Sequence, residues 1–223
     1  MKHLVIGAGE IGMALQKVFK CDIRDLEEIP VKKYDVLHIA IRNSVNFVNI
    51  GNKYKKLYKA KYVVVHSTVP VGTCRKAGFI HSPVTGVHPH LAKSLKTFTK
   101  FVSNKKLAEE FRKYGIPAVY VKGSDNTEAG KLYALLIYGI NIALEKEIFR
   151  YCKTNKLNYD VVYRQFVKMY NEGYKKMGMN HIKMYELVHK VGGLGGHCVM
   201  QNAPLLKTPL TKVLVRENKR NVI

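Results

Sequence analysis

An α/β fold, a doubly wound and mostly parallel sheet followed by a mostly helical C-terminal region, is predicted by three features of the sequence. A short apolar run, His3-Leu-Val-Ile, passes through a glycine turn straight into helical spacing. Buried-strand runs then alternate with helical stretches as far as residue 123. From Asn126 apolar residues recur at intervals of three and four, the period of an amphipathic helix.

The opening run ends in Gly7-Ala-Gly9-Glu10-Ile11-Gly12, after which Met13, Ala14, Leu15, Val18 and Phe19 are spaced for a helix. The first glycine allows a tight turn, the second lets backbone approach a pyrophosphate, and the third lets the helix pack on the strand. The pyrophosphate sits at the helix N-terminus, where free N–H groups and the dipole favour negative charge. This Rossmann-like signature assigns Gly7, Gly9, Glu10, Ile11 and Gly12 to an NAD or NADP site.

The next strand, 21–25, is short, and a clear buried strand follows at 34–41, so one strand-helix unit of the usual plan is missing. The acid that binds the adenosine ribose normally stands about twenty residues past the glycines. Asp22 comes early for that role and Asp25 fits it loosely; the other reading of either is a strand-end or capping aspartate, and Arg24 keeps NADP open. A basic helix over 45–59 leads to a strand at 62–66 and the segment Ser67-Thr-Val-Pro-Val-Gly-Thr73. A strand at 79–81 leads to Ser82-Pro-Val-Thr-Gly-Val-His88-Pro-His90, and strands near 100–103 and 117–122, with a helix over 105–114 between them, close the sheet. The dinucleotide domain is therefore 1–123 and the helical domain 124–223. In the latter a long helix reaches Cys152, helices are expected over 159–177 and 182–188, Gly192–Gly196 precedes His197-Cys198, and a basic tail ends the chain.

A chain of 223 residues with 47% hydrophobic content can bury a core of one or two domains. No apolar run of membrane-spanning length and no signal-peptide pattern is present, so a soluble cytoplasmic protein is expected. Cys21, Cys74, Cys152 and Cys198 are scattered without a C-x-x-C pair, which argues against a disulfide framework and a zinc site; no metal is expected. The formal charge of +22 draws anions: nucleotide cofactors, phosphorylated substrates or nucleic acid. The lysines at 53, 55, 56, 59 and 61, interleaved with Tyr54, Tyr58 and Tyr62, read as a solvated helix face, with nucleic acid as the competing partner.

Three segments, in order, resemble the UDP-glucose/GDP-mannose dehydrogenase family. Ser67–Thr73 is similar to that family's segment beside the cofactor and reacting carbon, which implies cofactor contact for Ser67 and a place near the reacting carbon for Thr68. Thr127-Glu-Ala-Gly-Lys131 is similar to its catalytic-lysine motif, and Gly195-Gly-His-Cys198 to the loop with its nucleophilic cysteine. The resemblance implies a Rossmann half, a long helix that forms a homodimer, and alcohol oxidation on a small anionic substrate or nucleotide sugar. In that chemistry a lysine with lowered pKa takes the hydroxyl proton, a nicotinamide takes hydride, and a cysteine carries the aldehyde to the acid through a thioester. Lys131 is the implied base and Cys198 the implied nucleophile. A second, shorter resemblance of Gly86-Val-His88-Pro89 to the His-Pro segment of prephenate dehydrogenases implies a substrate contact for His88.

Plainer readings stand beside these. Lys131 is one lysine among many, Cys198 a structural thiol, His88 a satisfied loop histidine, and Ser67 and Thr68 caps for a helix starting near Pro70 and Val71. The chain also departs from the family. Leu135 stands where an asparagine is expected, Asn202 where an aspartate is, and Val84 where a glutamate is, and no domain for the nucleotide half of the substrate is expected. The reading is an NAD(P)-dependent alcohol dehydrogenase, with a single two-electron oxidation and a catalytically degenerate nucleotide-binding or interaction protein as alternatives.

Overall fold

The structure is a computed structural model that describes residues 1–220, with Gly196 and His197 described by their backbone alone. The chain divides into two compact units, Met1–Leu132 and Tyr133–Ile223.

In the first unit five parallel strands form one sheet. They are β1 (His3–Ile6), β2 (Asp22–Arg24), β3 (Val36–Ile39), β4 (Tyr62–Val65) and β5 (Ile80–His81), in the order β2-β1-β3-β4-β5. The chain reverses its direction of growth between β1 and β3, and such a switch point opens a crevice at the carboxyl ends of the strands. Helix α1 (Glu10–Phe19) joins β1 to β2, but an irregular loop joins β2 to β3, which accounts for the missing strand-helix unit. Helix α2 (Phe47–Leu57) follows β3, and α3 (Thr73–Ala77) follows β4.

Strands β6 (Lys100–Val102) and β7 (Ala118–Tyr120) do not extend this sheet as expected. They pair in parallel with each other alone, around α5 (Lys105–Arg112), and reach the main sheet through one backbone bond, Ser103 N to the His81 carbonyl at 3.2 Å. Helix α4 (Leu91–Thr97), unforeseen in the sequence, packs on α1. One core lies on the α1 and α5 face, where Leu15, Phe19, Leu107 and Phe111 are buried; the other lies on the α2 side, with Leu37, Phe47, Tyr58 and Val65. Each such side chain contributes about 1.5–3 kcal/mol relative to exposure.

Helix α6 (Ser124–Thr154) runs from the first unit into the second. The second unit continues with a π-helical turn at Asp160–Gln165, α7 (Phe166–Lys176), α8 (Gly196–Asn202), a 3-10 turn at Ala203–Leu205 and α9 (Pro209–Arg220). The expected helix over 182–188 does not form. Asn171 brackets Met184 through both backbone groups at 3.1 and 2.9 Å, while the Tyr163 hydroxyl donates to the Tyr185 carbonyl and accepts from Leu187 N. Backbone groups engaged by side chains of the preceding helical segment cannot close helical turns of their own. The basic tail is helical over α9, which seats Leu214 against Leu136 and Val199. No helix among the described residues is long and apolar enough to cross a membrane.

Candidate functional site

The glycine turn has the geometry its residues suggest. Gly7 has φ of +100°, and its N–H bonds the Arg24 carbonyl at 2.8 Å. A Cβ on Gly12 would stand 1.8 Å from the Gly7 carbonyl oxygen, so only glycine lets α1 come this close to the strand. Gly9 is exposed and a Cβ there would meet nothing within 4 Å, while no side chain caps α1. Its first N–H groups are left to a ligand or to water.

Beyond the turn, the loops after β4 and β5 meet the start of α6. Ser67 does not cap a helix: its hydroxyl donates to the Ile41 carbonyl at 2.5 Å, tying the loop after β4 to the one after β3. Thr68 beside it is half-buried. Helix α3 begins later than expected, and its free N–H groups are taken by Glu128. This fully buried side chain accepts from Gly72 N at 2.6 Å and from Cys74 N at 2.8 Å. His81, the last residue of β5, is within 2.8 Å of the Thr127 hydroxyl and 3.3 Å of the Ser67 carbonyl. Burial, with the cations Lys100 and Lys131 adding to it against the Ser67 contact, pushes the His81 imidazole down to about 4.

Lys131, one turn after Thr127, donates to the Val84 carbonyl at 2.9 Å. The two preceding carbonyls, Ser82 and Pro83, are held by Lys100 Nζ at 2.8 and 2.9 Å. Lys100 is buried, and burial first, then the Lys131 charge, pushes its ammonium well below the ordinary lysine range. Two amines thus stand on three successive carbonyls at the carboxyl edge of the sheet. Neither Lys100, His81 nor the role of Glu128 was read from the sequence. Glu128 and His81 lay within quoted segments, and a lysine opening an apolar strand was the available signal for Lys100.

Other predicted residues lie elsewhere or are engaged differently. Asp22 begins β2, opposite Leu4, so it is at the end of the strand away from the glycine turn. There Lys32 at 2.7 Å and the Tyr34 hydroxyl at 2.5 Å hold its carboxyl below the usual range. Arg24 is level with Ile6 at the turn, but its guanidinium is buried on the Tyr58 hydroxyl at 2.7 Å and bonds Glu28 at 3.0 Å. His88 and Glu10 are brought together beside α1, with His88 Nδ1 2.6 Å from a Glu10 carboxylate oxygen. Cys198 lies in the second unit, exposed, in the first turn of α8 rather than in the loop, after Gly195 with φ of +67°. At the three departures from the family pattern, Val84 is buried in the first core, Leu135 packs on the core of the second unit, and the Asn202 amide donates to the Cys198 carbonyl at 2.8 Å.

No protein-family model and no curated protein sequence matches the chain. Solved structures do. It is similar to a UDP-N-acetyl-mannosamine dehydrogenase from S. aureus, with TM-score 0.68 and 16% identity over 99% of this chain and 67% of that one. A UDP-glucose dehydrogenase from the archaeon Pyrobaculum islandicum gives TM-score 0.68 and 14% identity over 99% and 68%. Psf3, in a structure with NADP+ and 2-OPP, gives TM-score 0.55 and 14% identity over 96% and 92%. The chain spans about two thirds of the length of the two nucleotide-sugar dehydrogenases. The fold is Rossmann-like, similar to that of these dehydrogenase structures.

Proposed function

We propose that the chain is an NAD(P)-dependent oxidoreductase acting on the CH–OH group of a small or nucleotide-linked anionic substrate. The observation that carries this reading is the Lys131 amine, anchored on the Val84 carbonyl at the sheet edge where the glycine turn and the Ser67–Thr68 loop also end. The dinucleotide would lie along Gly7, Gly9, Glu10, Ile11 and Gly12, and these residues fit it, because Gly9 leaves open space and α1 is uncapped. A bound nicotinamide supplies the hydride acceptor. In this reading Lys131 accepts the hydroxyl proton, with Thr68 beside the reacting carbon and Ser67 holding the loop. Asp25, which follows Arg24 at the cofactor end of β2, takes the ribose role in place of Asp22. The names of the similar nucleotide-sugar dehydrogenases support an anionic substrate, and the NADP+ in the Psf3 structure supports the cofactor class.

Burial of Val84, packing of Leu135 and the bond of Asn202 to the Cys198 backbone favour a second reading in which only the binding function is kept. Calorimetry with NAD and NADP separates the outcomes. Gly9→Val should abolish binding at an unchanged melting temperature, since the added side chain meets only the space the pyrophosphate needs. If neither dinucleotide binds the wild type, both readings fail. Binding without turnover across sugar nucleotides and smaller hydroxy acids selects the second.

A further inference from the structure

Two buried residues of opposite charge follow one another in the second unit without pairing. Glu145 and Lys146, consecutive on α6, are 2% and 4% exposed. Each holds one residue of the segment that crosses them. Glu145 Oε1 accepts from His189 Nδ1 at 3.0 Å and from the Tyr159 hydroxyl at 2.6 Å, while Lys146 Nζ donates to the Lys190 carbonyl at 2.5 Å. The His189 ring lies flat on Phe149, with centroids 3.6 Å apart, and Tyr159 meets both rings edge-on. The carboxyl of Glu145 is thus fixed from two sides. Successive side chains leave a helix about 100° apart, which keeps the two charges from joining each other.

Both groups are left with bonding capacity that the chain does not use. An ammonium carries three N–H donors, and Lys146 commits one of them to a neutral carbonyl; among the described residues no carboxylate pairs with it. The two bonds to Glu145 both fall on Oε1, and Oε2 meets no donor among the described residues. A buried charge with an incomplete set of partners is unfavourable, and a bound counter-charge relieves it. Glu145 and Lys146 line one cavity of about 680 Å³ between α6 and the segment 186–195, a volume in the range of small-molecule sites.

The rest of the lining narrows the ligand. Ile142 on the helix, with Leu187, Val188 and Val191 on the segment, gives aliphatic walls. Glu186 and Lys190, both exposed, add one further charge of each sign. Two cations and two carboxylates leave the cavity without net charge. For a dianionic phosphate the attraction of one pair is cancelled by the other, whereas a molecule with one charge of each sign finds a partner for both.

We propose that this cavity binds a small aliphatic α-amino acid, with its carboxylate on Lys146 and its ammonium on Glu145 Oε2. The carboxylate accepts the N–H groups that Lys146 has left, the ammonium donates to the open carboxylate oxygen, and the side chain lies on Ile142, Leu187 and Val188. The amino acid is a ligand in addition to any dinucleotide and alcohol, and the site does not depend on the reading of Lys131 as base.

Calorimetry and amide NMR on the full chain, with leucine as the probe, test the assignment. Leucine should bind in the millimolar range or tighter and shift the amide resonances of 186–195. Isocaproate, which lacks the ammonium, and isoamylamine, which lacks the carboxylate, should each bind about tenfold or more weakly. Glu145→Gln alters only the open position: its one amide oxygen is kept by Tyr159 and His189, so its N–H₂ faces the ligand's ammonium, donor against donor. Lys146→Met keeps the aliphatic stem and removes the charge. Each variant should weaken leucine about tenfold or more, Glu145→Gln without changing isocaproate and Lys146→Met without changing isoamylamine. If one variant does not fold, the other carries the test. No leucine binding at millimolar concentration, leucine binding unchanged in a folded variant, or isocaproate as tight as leucine overturns the proposal. None of these measurements uses a dinucleotide, so failure of the dehydrogenase reading leaves them intact.

Discussion

Replacing Glu128 by glutamine changes one buried atom and tests how the candidate site is held. Both carboxylate oxygens accept backbone N–H groups at the start of α3, at 2.6 and 2.8 Å, and the side chain is fully buried. A glutamine has the same shape but a single acceptor oxygen, so its amide N–H₂ must face either Gly72 N or Cys74 N, donor against donor. A bond to a charged acceptor is lost, about 1.5–3 kcal/mol, and a buried N–H is left unpaired, about 1–3 kcal/mol. The two overlap in one contact, so a loss of about 3 kcal/mol is expected, or roughly 10 °C in melting temperature for a chain of this size. Urea unfolding followed by circular dichroism measures it, with the exposed Glu109→Gln as control. Hydrogen exchange should show lost protection at Gly72 and Cys74. A Glu128→Gln variant within about 0.5 kcal/mol of wild type would show that the α3 N-terminus is satisfied otherwise, and the account of how the Ser67–Thr73 loop is fixed would fail.

Two further outcomes follow from the same geometry. His81 binds its proton at about 4 in the fold against 6.5 when free, so the folded state holds fewer protons between those values. Stability is complete above pH 6.5 and falls, by up to about 3 kcal/mol from this residue, as pH drops toward 4, with His38 and His66 adding in the same direction. Thermal melts between pH 7.5 and 4.5 should show the fall and His81→Gln should reduce it; an identical slope in the variant contradicts the assignment. Among the cysteines, Cys198 is exposed, whereas burial pushes Cys21 up to about 12, and burial together with Glu128 pushes Cys74 up further still. Brief iodoacetamide labelling read by mass spectrometry should modify Cys198 first, and Cys74 labelling ahead of it in the folded protein would remove the case for thiol chemistry.

The glycine turn, the long helix and most strands were legible because each is encoded locally, by a residue type at a fixed offset or by a period. What a strand pairs with is not local. Lys100–Val102 and Ala118–Tyr120 read correctly as strands and incorrectly as members of the main sheet, since apolar alternation does not name a neighbour. The segment 182–188 has helix-compatible spacing but gives its backbone bonds to Asn171 and Tyr163, partners more than ten residues away. A row of three buried histidines, with facing ring nitrogens 2.8 Å apart from strand to strand, was hidden for the same reason. His3, His38 and His66 each read as a single polar residue in or beside an apolar strand, and only the inter-strand register brings them together. The motif singled out Lys131, whereas the carbonyl row on which it stands and the second amine there were not read from the sequence.

The loop that replaces a helix and strand between β2 and β3 makes β2 the border of the sheet. Removing a peripheral strand from a wound sheet deletes one lateral pairing and leaves the remaining registers untouched, whereas removing an inner one would separate the two halves. Shortening was therefore tolerable on this flank and nowhere nearer the middle. The new border is three residues long and bears Asp22 with its Lys32 partner, so it offers little template to a foreign chain. A Rossmann-like sheet can thus be trimmed at the β2 flank and keep the pairing of β1 with β3, where its direction of growth reverses.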